Sequence, residues 1–396
     1  IVNLFFKYKY MDYFEESLKL HKKLGWKLET ISKVELRDKN DLSLAYSPWV
    51  AEPCRKIARD KSKVYDYTLK ANTVAVISDW TAVLGLWDIW PEAWLPVMEW
   101  KCVLFKEFAW VNAFPIVLNT KDTEEIIQTI KNIAPAFGWI NLEDISAPRC
   151  FEIEERLKAE LDIPVMHDDQ HWTAIVTLAW VINWLKITGK KKEEVKVVVN
   201  GVWAAWVAIT KLLLLYWIKD IVMVDSVWTI HPWRKDLNPV KEMLTNITNT
   251  ACLLDPTSNA CIIWWLEEAV TGRDIFVWVS KWNVLTPEMV KSMNKDPMIF
   301  AMANPTPEIM PELAYEAGAK IIATWRSDYP NQLNNVLVFP WIFKWALQNR
   351  VRTITDDMKI NAAIALAGAV KNPTPEKIIP SPFEKEVVDI IASVIK

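Results

Sequence analysis

From residue 195 onward, short apolar runs and longer amphipathic runs take turns along the chain. Residues 195–199, VKVVV, form a β-branched run. The stretch that follows, AAWVAITKLLLL, has the length and apolarity of a buried helix. The same alternation predicts strand 195–199, helix 203–216, strand 220–224, helix 239–247, strand 274–279, helix 287–294, strand 297–301, helix 311–317 and strand 319–323. Strand and helix in turn imply an α/β architecture, a doubly wound parallel sheet covered on both faces. Before residue 195 the pattern predicts helix 12–24, a loop over 41–56 leading into a helix, strand 72–78, helix 97–109, strand 114–118 and helix 123–133. Strand 139–142, helix 151–161, strand 163–166 and a long apolar helix 173–185 follow. The tail of the chain predicts helices over 356–370 and 383–394. A boundary near residue 163 separates an N-terminal domain over 11–162 from a Rossmann-type domain over 163–345, with C-terminal helices over 346–396 packing back on the body. Residues 1–10 read as a tail that fits no targeting signal, and Met11 resembles a natural start.

Composition changes this picture in one respect. The 396 residues include 24 Trp and only 8 Gly, where typical usage of about 7% would give roughly 28 glycines. The net charge of −3 gives no electrostatic case for nucleic acid or an anionic membrane. The five cysteines are odd in number and lack C-x-x-C pairing, so a reduced, cytoplasmic compartment is expected rather than a disulfide framework. Residues 201–218 are apolar, but Lys211 interrupts them and they barely reach spanning length, so no membrane segment is expected.

The turn after strand 195–199 reads NGVWAAW. Its layout is that of a dinucleotide-binding βα turn, which calls for G-x-G-x-x-G. Only Gly201 is present; Trp203 and Trp206 stand at the second and third glycine positions. Asp225 closes the next strand, IVMVD. An acidic side chain there accepts ribose hydroxyls and disfavours a 2′-phosphate, which leans toward NAD over NADP; the plain alternative is that Asp225 only ends a strand. A second constellation is acidic: Glu143-Asp144 at one strand end and the run HDDQH, residues 167–171, after another. Carboxylates at the ends of neighbouring parallel strands suit a hard cation, Mg2+ or Mn2+. His167 and His171, spaced i, i+4, offer a rival zinc reading, but Pro164 and the preceding strand favour a turn over a helix there. A solvated acidic turn is the third option. Tyr46 in LAYSPW and Lys101 in MEWKCVLFKEF do not stand out alone, and spacing does not separate Lys101 from Lys106.

Taken with LSLAYSPWVAEPC, VAVISDWTAVLGLWDIW, INLEDISAPRC, IPVMHDDQHWTA, VVVNGVWAAW, FAMANPTPEIMP and FPWIFKWAL, these motifs resemble the malic enzyme family in its shorter prokaryotic form, from about residue 11 to the end. The resemblance implies oxidative decarboxylation of (S)-malate to pyruvate and CO2 with reduction of NAD, or NADP, in a homodimer or homotetramer. It implies metal ligands at Glu143, Asp144 and Asp169, a general base at Lys101, a general acid at Tyr46, and Asp168 orienting the ligands or the lysine. Lys101 is expected to have a lowered pKa beside the cation. Cofactor contacts are implied at Gly201, Trp203, Ala204, Ala205, Trp206, Asp225, Asn304 and Asn335. The arginine that larger members carry after the S-D-G-like turn is missing from Asp79-Trp80-Thr81-Ala82, and Arg326 is a candidate substitute for gripping the substrate carboxylate. A metal-independent dehydrogenase of another small acid, and a non-catalytic tryptophan-rich protein, remain as competing classes.

The resemblance also implies glycine where this chain has Trp49, Trp80, Trp87, Trp90, Trp100, Trp172, Trp203, Trp206, Trp325 and Trp341. The departures form one systematic exchange. An indole at 203 occupies pyrophosphate space, one at 206 forces the helix away from the strand, and left-handed turn positions exclude tryptophan as well. Overpacking costs about 1–3 kcal/mol per site, so ten sites would exceed a typical stability of about 5–15 kcal/mol. The expectation is that the folded protein carries glycine at most of these places, the alternative being an inactive variant.

Overall fold

The computed structural model describes residues 13–83, 88–278, 284–303, 306–326, 328–329, 331–382, 384 and 386–395. The tail 1–10, Gly85, Trp87 and Asn304 lie outside the described residues. Two parallel sheets carry the fold. The first is built from β1 (Thr73–Ser78), β2 (Asn112–Val117), β3 (Trp139–Leu142) and β4 (Val165–His167), in the order β2-β1-β3-β4. The second is built from β5 (Lys196–Asn200), β6 (Asp220–Val224), β7 (Ile275–Trp278), β8 (Met298–Ala301) and β9 (Ile321–Thr324), in the order β6-β5-β7-β8-β9. All pairings in both sheets are parallel. The alternating pattern after residue 195 is therefore realised element by element. Strands such as β1 and β7 are buried throughout, which is why they read as apolar runs without a period of two.

The helix Asp168–Thr188 joins the sheets. It packs against Ala204–Leu215 and Asp356–Gly368, and Trp172, Trp180 and Trp184 on it are fully buried. The helix Phe339–Gln348 packs on Pro91–Ala109, with Phe343 and Phe339 edge-on to Phe105 at 4.7 and 5.1 Å. Among the described residues no helix is long and apolar enough to cross a membrane.

Three expectations need correction. The stretch 41–56, expected as a loop, is mostly helical, in Lys39–Ala45 and Ala51–Arg59. Residues 168–171 are the first turn of the helix Asp168–Thr188, not a turn preceding a helix that starts at 173. His167 is extended at the N-cap, and Asp168 and Asp169 complement the positive helix end, which offsets their weak helix preference. Cys252 and Cys261 are joined in a disulfide, while Cys54, Cys102 and Cys150 are free. No spacing signals this bond, because a separation of nine residues matches no pairing motif.

Eight described residues other than glycine have positive φ. Four are Asn or Asp, which tolerate that region, and three are tryptophans: Trp80 (54°), Trp110 (58°) and Trp217 (75°). A β-carbon there meets its own carbonyl at a cost of about 1–2 kcal/mol. Trp217→Gly should therefore raise the unfolding free energy by about 1 kcal/mol. The check is urea denaturation of the pair; an unchanged or lowered midpoint contradicts the strain.

Candidate active site

Strand register builds the site. β1 and β3 are aligned so that Ile77 faces Leu142, and β3 and β4 so that Leu142 faces His167. The residues that follow Leu142 and His167 are Glu143-Asp144 and Asp168-Asp169. Four carboxylates thus gather at the carboxyl ends of adjacent parallel strands. The Glu143 N–H donates to the Ile77 carbonyl at 2.8 Å, which ties the turn back to β1. Asp144 then takes a left-handed conformation (φ 51°), and its N–H donates to Asp169 Oδ2 at 3.1 Å.

Lys101 projects from Pro91–Ala109 into this cluster. Its Nζ lies 3.0 Å from Glu143 Oε1 and 3.0 Å from Asp168 Oδ2, and 4.7 Å from the centre of the Phe339 ring. Asn141 Nδ2 donates to the other Glu143 oxygen at 2.8 Å. The three-dimensional arrangement separates Lys101 from Lys106, which instead donates to Asn112. Burial and the neighbouring Asp168 charge push the Glu143 carboxyl well up, and burial with Asp169 does the same for Asp144. Burial also raises Asp168, against the pull of Lys101. Burial alone would lower Lys101, but the Asp168 and Glu143 carboxylates outweigh it and its pKa is raised. The expected lowering of Lys101 is thus absent while these two carboxylates face it directly.

Glu143, Asp168 and Asp169 each offer an oxygen within 4.8 Å of the others. Asp168 Oδ1 is buried without a hydrogen-bond partner. An all-oxygen, excess-negative cluster with an idle lone pair fits a hard divalent cation. Asp144 lies beside this set through its link to Asp169. The two histidines do not act as a pair: His171 Nε2 is bonded to Glu154 at 2.7 Å, away from the set, while His167 Nδ1 lies 3.7 Å from Asp169 Oδ2. That arrangement disfavours the zinc reading.

Other expected residues lie further out. Tyr46 caps the helix Lys39–Ala45 and is 67% exposed, and among the described residues no hydrogen bond joins it to Lys101 or the carboxylates. Asn335 accepts from Thr173 Oγ1 at 3.2 Å, on the segment that leads to Phe339. Arg326 pairs with Asp328. Arg149 stands beside the Asp79 turn, with Nη2 2.8 Å from Asp79 Oδ2 and 3.0 Å from Thr81 Oγ1. Asn141 and Phe339 were not singled out from the sequence. Asn141 had a signal, because it sits two residues before Glu143 on the same side of the strand.

At the second sheet, Gly201 has φ 121° and donates to the Val224 carbonyl at 2.7 Å. Trp203 is the N-cap of Ala204–Leu215 and is 42% exposed. The Trp206 indole folds back into the turn and donates to the Asn200 carbonyl at 2.9 Å. A β-carbon on Gly201 would stand 2.6 Å from that indole nitrogen. Ala204 and Ala205 are buried in the first helical turn. Asp225 Oδ1 accepts from the Val227 and Trp228 N–H groups at 2.9 and 3.1 Å. Its carboxylate is also paired with Arg234 Nη1 (2.9 Å) and Lys241 Nζ (2.6 Å).

A model of the malic enzyme N-terminal domain matches residues 26–158, and a model of the malic enzyme NAD-binding domain matches residues 171–395. The bifunctional malic/malolactic enzyme of Bacillus subtilis is 54% identical over 96% of this chain and 92% of its own length. The NAD-dependent malic enzyme of Geobacillus stearothermophilus is 53% identical over 92% of this chain and 75% of its own. The solved structure of the NAD-dependent malic enzyme of Thermotoga maritima superposes with a TM-score of 0.90 at 47% identity, covering 96% of this chain and 98% of that one.

Burial opposes ionisation of Asp225, but hydrogen bonds from Arg234 and Lys241 prevail and bring its pKa from 3.8 to about 2. The stability this adds is full above pH 3.8 and is lost as the pH falls through about 2. Asp225→Asn should be less stable at neutral pH and lack that acid limb, read by urea unfolding between pH 5 and 2. A variant that keeps the limb would show that another group carries it.

Proposed function

This chain belongs to the malic enzyme family, and from that premise we propose that it converts (S)-malate to pyruvate and CO2 while reducing NAD+, with NADP+ as the lesser cofactor. The observation that carries the site assignment is Lys101 held 3.0 Å from both Glu143 and Asp168, beside a third carboxylate, Asp169. Glu143, Asp168 and Asp169 would hold the divalent ion, Mg2+ or Mn2+, with Asp144 supporting Asp169. When bound, that ion supplies Lewis acidity at the substrate oxygens and takes up the carboxylate charge that otherwise holds Lys101 protonated.

Lys101, as the neutral amine, accepts the C2 hydroxyl proton while the C2 hydride passes to the nicotinamide. This gives oxaloacetate, which loses CO2 to leave the enol of pyruvate. Tyr46, exposed in the single chain, is assigned the proton delivered to C3. Phe339 covers Lys101 on one side and limits water there. Asn335 and Asn304 are assigned to the nicotinamide and the substrate carboxylate.

Asp225 is assigned to the ribose hydroxyls. Its grip by Arg234 and Lys241 supports NAD, because those cations are occupied and the carboxylate is fixed at full charge. Exposed apolar side chains on residues 18–50, Leu18, Leu24, Ile31, Leu36 and Leu44 among them, support assembly as a homodimer or higher. The first sheet runs through β4 to His167, so the proposed division between the two domains lies after residue 167 rather than near residue 163.

Removal of divalent ions with EDTA should abolish NAD-linked malate oxidation and Mn2+ should restore it; retained turnover favours the metal-independent dehydrogenase. Lys101→Ala should lower kcat by about 10²-fold or more with NADH-induced thermal stabilisation preserved. Unchanged turnover would remove Lys101 from its role. Asp225→Ser releases Lys241 and the Nη1 of Arg234, which keeps its pair with Asp236, for a 2′-phosphate, and should move the NAD-to-NADP ratio of kcat/KM toward NADP by about tenfold or more. An unmoved ratio would place selectivity elsewhere.

A further inference from the structure

Tryptophans in this chain occupy places where the backbone calls for no side chain. Trp217 ends the helix Ala204–Leu215 at φ 75°. Its N–H donates to the Leu214 carbonyl (3.1 Å) and the Ile218 N–H to the Leu213 carbonyl (3.0 Å). This is the paired bonding of a Schellman cap, whose left-handed residue is usually glycine. Gly318 makes the same pair at φ 108°, donating to Tyr315 at 3.0 Å, with Ala319 donating to Ala314 at 2.9 Å. Trp110 donates to Lys106 at 3.0 Å with φ 58°; Gly189 donates to Leu185 at 2.9 Å with φ 70°. The same single bond recurs at Gly25, which donates to His21 at 2.9 Å with φ 75°, and the paired bonding recurs at Arg350, φ 52°, so these left-handed caps are filled by glycine at three places, by tryptophan at two and by arginine at one.

The interior repeats the mismatch. A buried indole N–H ordinarily finds an acceptor, yet seven buried indole nitrogens among the described residues have none, those of Trp94, Trp139, Trp172 and Trp180 among them. Eleven other tryptophans are more than a third exposed, Trp110 at 72% and Trp26 at 68%. The buried ones pack their rings against core phenylalanines, as Trp139 and Trp172 do on Phe343 and Trp180 on Phe300, but leave their N–H groups without an acceptor. Counted as glycine, all 24 would bring the chain to about 8% glycine, close to the usual ~7%.

We infer that the cell that makes this protein inserts glycine at these positions, Trp80, Trp110, Trp203, Trp206 and Trp217 among them, by reading as glycine a codon otherwise read as tryptophan. Mutation would scatter the departures over many residue types, whereas a reassigned codon moves one residue to one other. UGA fits: a stop in the standard code and tryptophan in some variant codes, it differs from UGG only at its third base and from the glycine codon GGA only at its first. At the nucleotide turn the consequence is chemical. With glycine at 206, the space beside Gly201 that the indole fills is free, and with glycine at 203 the N-terminus of Ala204–Leu215 opens to a pyrophosphate. This last step rests on the function proposed above; the residue assignment does not.

Peptide mass spectrometry of the protein purified from its own cells tests the assignment. The tryptic peptide 197–211 lies between Lys196 and Lys211 and holds both turn positions. Its mass should be lower than the tryptophan form by two exchanges of indolylmethyl for hydrogen; a peptide that carries both indoles overturns the inference. Titration with NADH then reads the site separately. Protein with glycine at 203 and 206 should bind at least about tenfold tighter than the tryptophan form. A protein with the glycine mass that does not bind NADH overturns the nucleotide reading and leaves the residue assignment standing.

Discussion

The structure depends on one electrostatic constraint: four carboxylates crowded at the ends of two adjacent strands, with one lysine to answer them. The parallel register of β3 and β4 forces this, because Leu142 and His167 are opposite each other and each is followed by two acids. Burial makes the arrangement expensive. Glu143, Asp144 and Asp168 are all pushed toward their neutral forms, and Lys101 is driven the other way. A cluster that strained is a poor way to stabilise a fold and a good way to hold a cation and a proton acceptor at contact distance.

Around that cluster the rest of the fold acts as support. Asn141 fixes one Glu143 oxygen, the Ile77 carbonyl fixes the Glu143 backbone, and Phe339 packs under the lysine. The helix Asp168–Thr188 carries two of the acids in its first turn, and its far end is buried against the helices beside the second sheet. The element that presents two of the carboxylates is thereby packed against the helix that follows Gly201.

Much of this was legible in the sequence, and the exceptions have physical causes. The strands of the second sheet were readable because buried parallel strands are apolar runs, and the paired acids were readable because they sit at strand ends. The start of the helix at Asp168 was not, because helix propensity at Asp is poor until the macrodipole is counted. Lys101 could not be told from Lys106 by spacing, since only the tertiary fold shows which one faces Glu143. Phe339 had no local signal: its role depends on a packing partner some 240 residues away in the chain. Tyr46 remains on an exposed segment, where sequence could name it but not place it.

The two halves of the site also respond differently to the tryptophan excess. The carboxylate–lysine cluster works through side chains that are present, and an indole elsewhere leaves their distances intact. The nucleotide turn works through a side chain that is absent, so an indole at 203 or 206 acts at the point of binding itself. An exchange of glycine for tryptophan therefore leaves a recognisable acid–base centre beside an obstructed turn. The exchange touches few positions, but those few set where the backbone can bend and what can approach it.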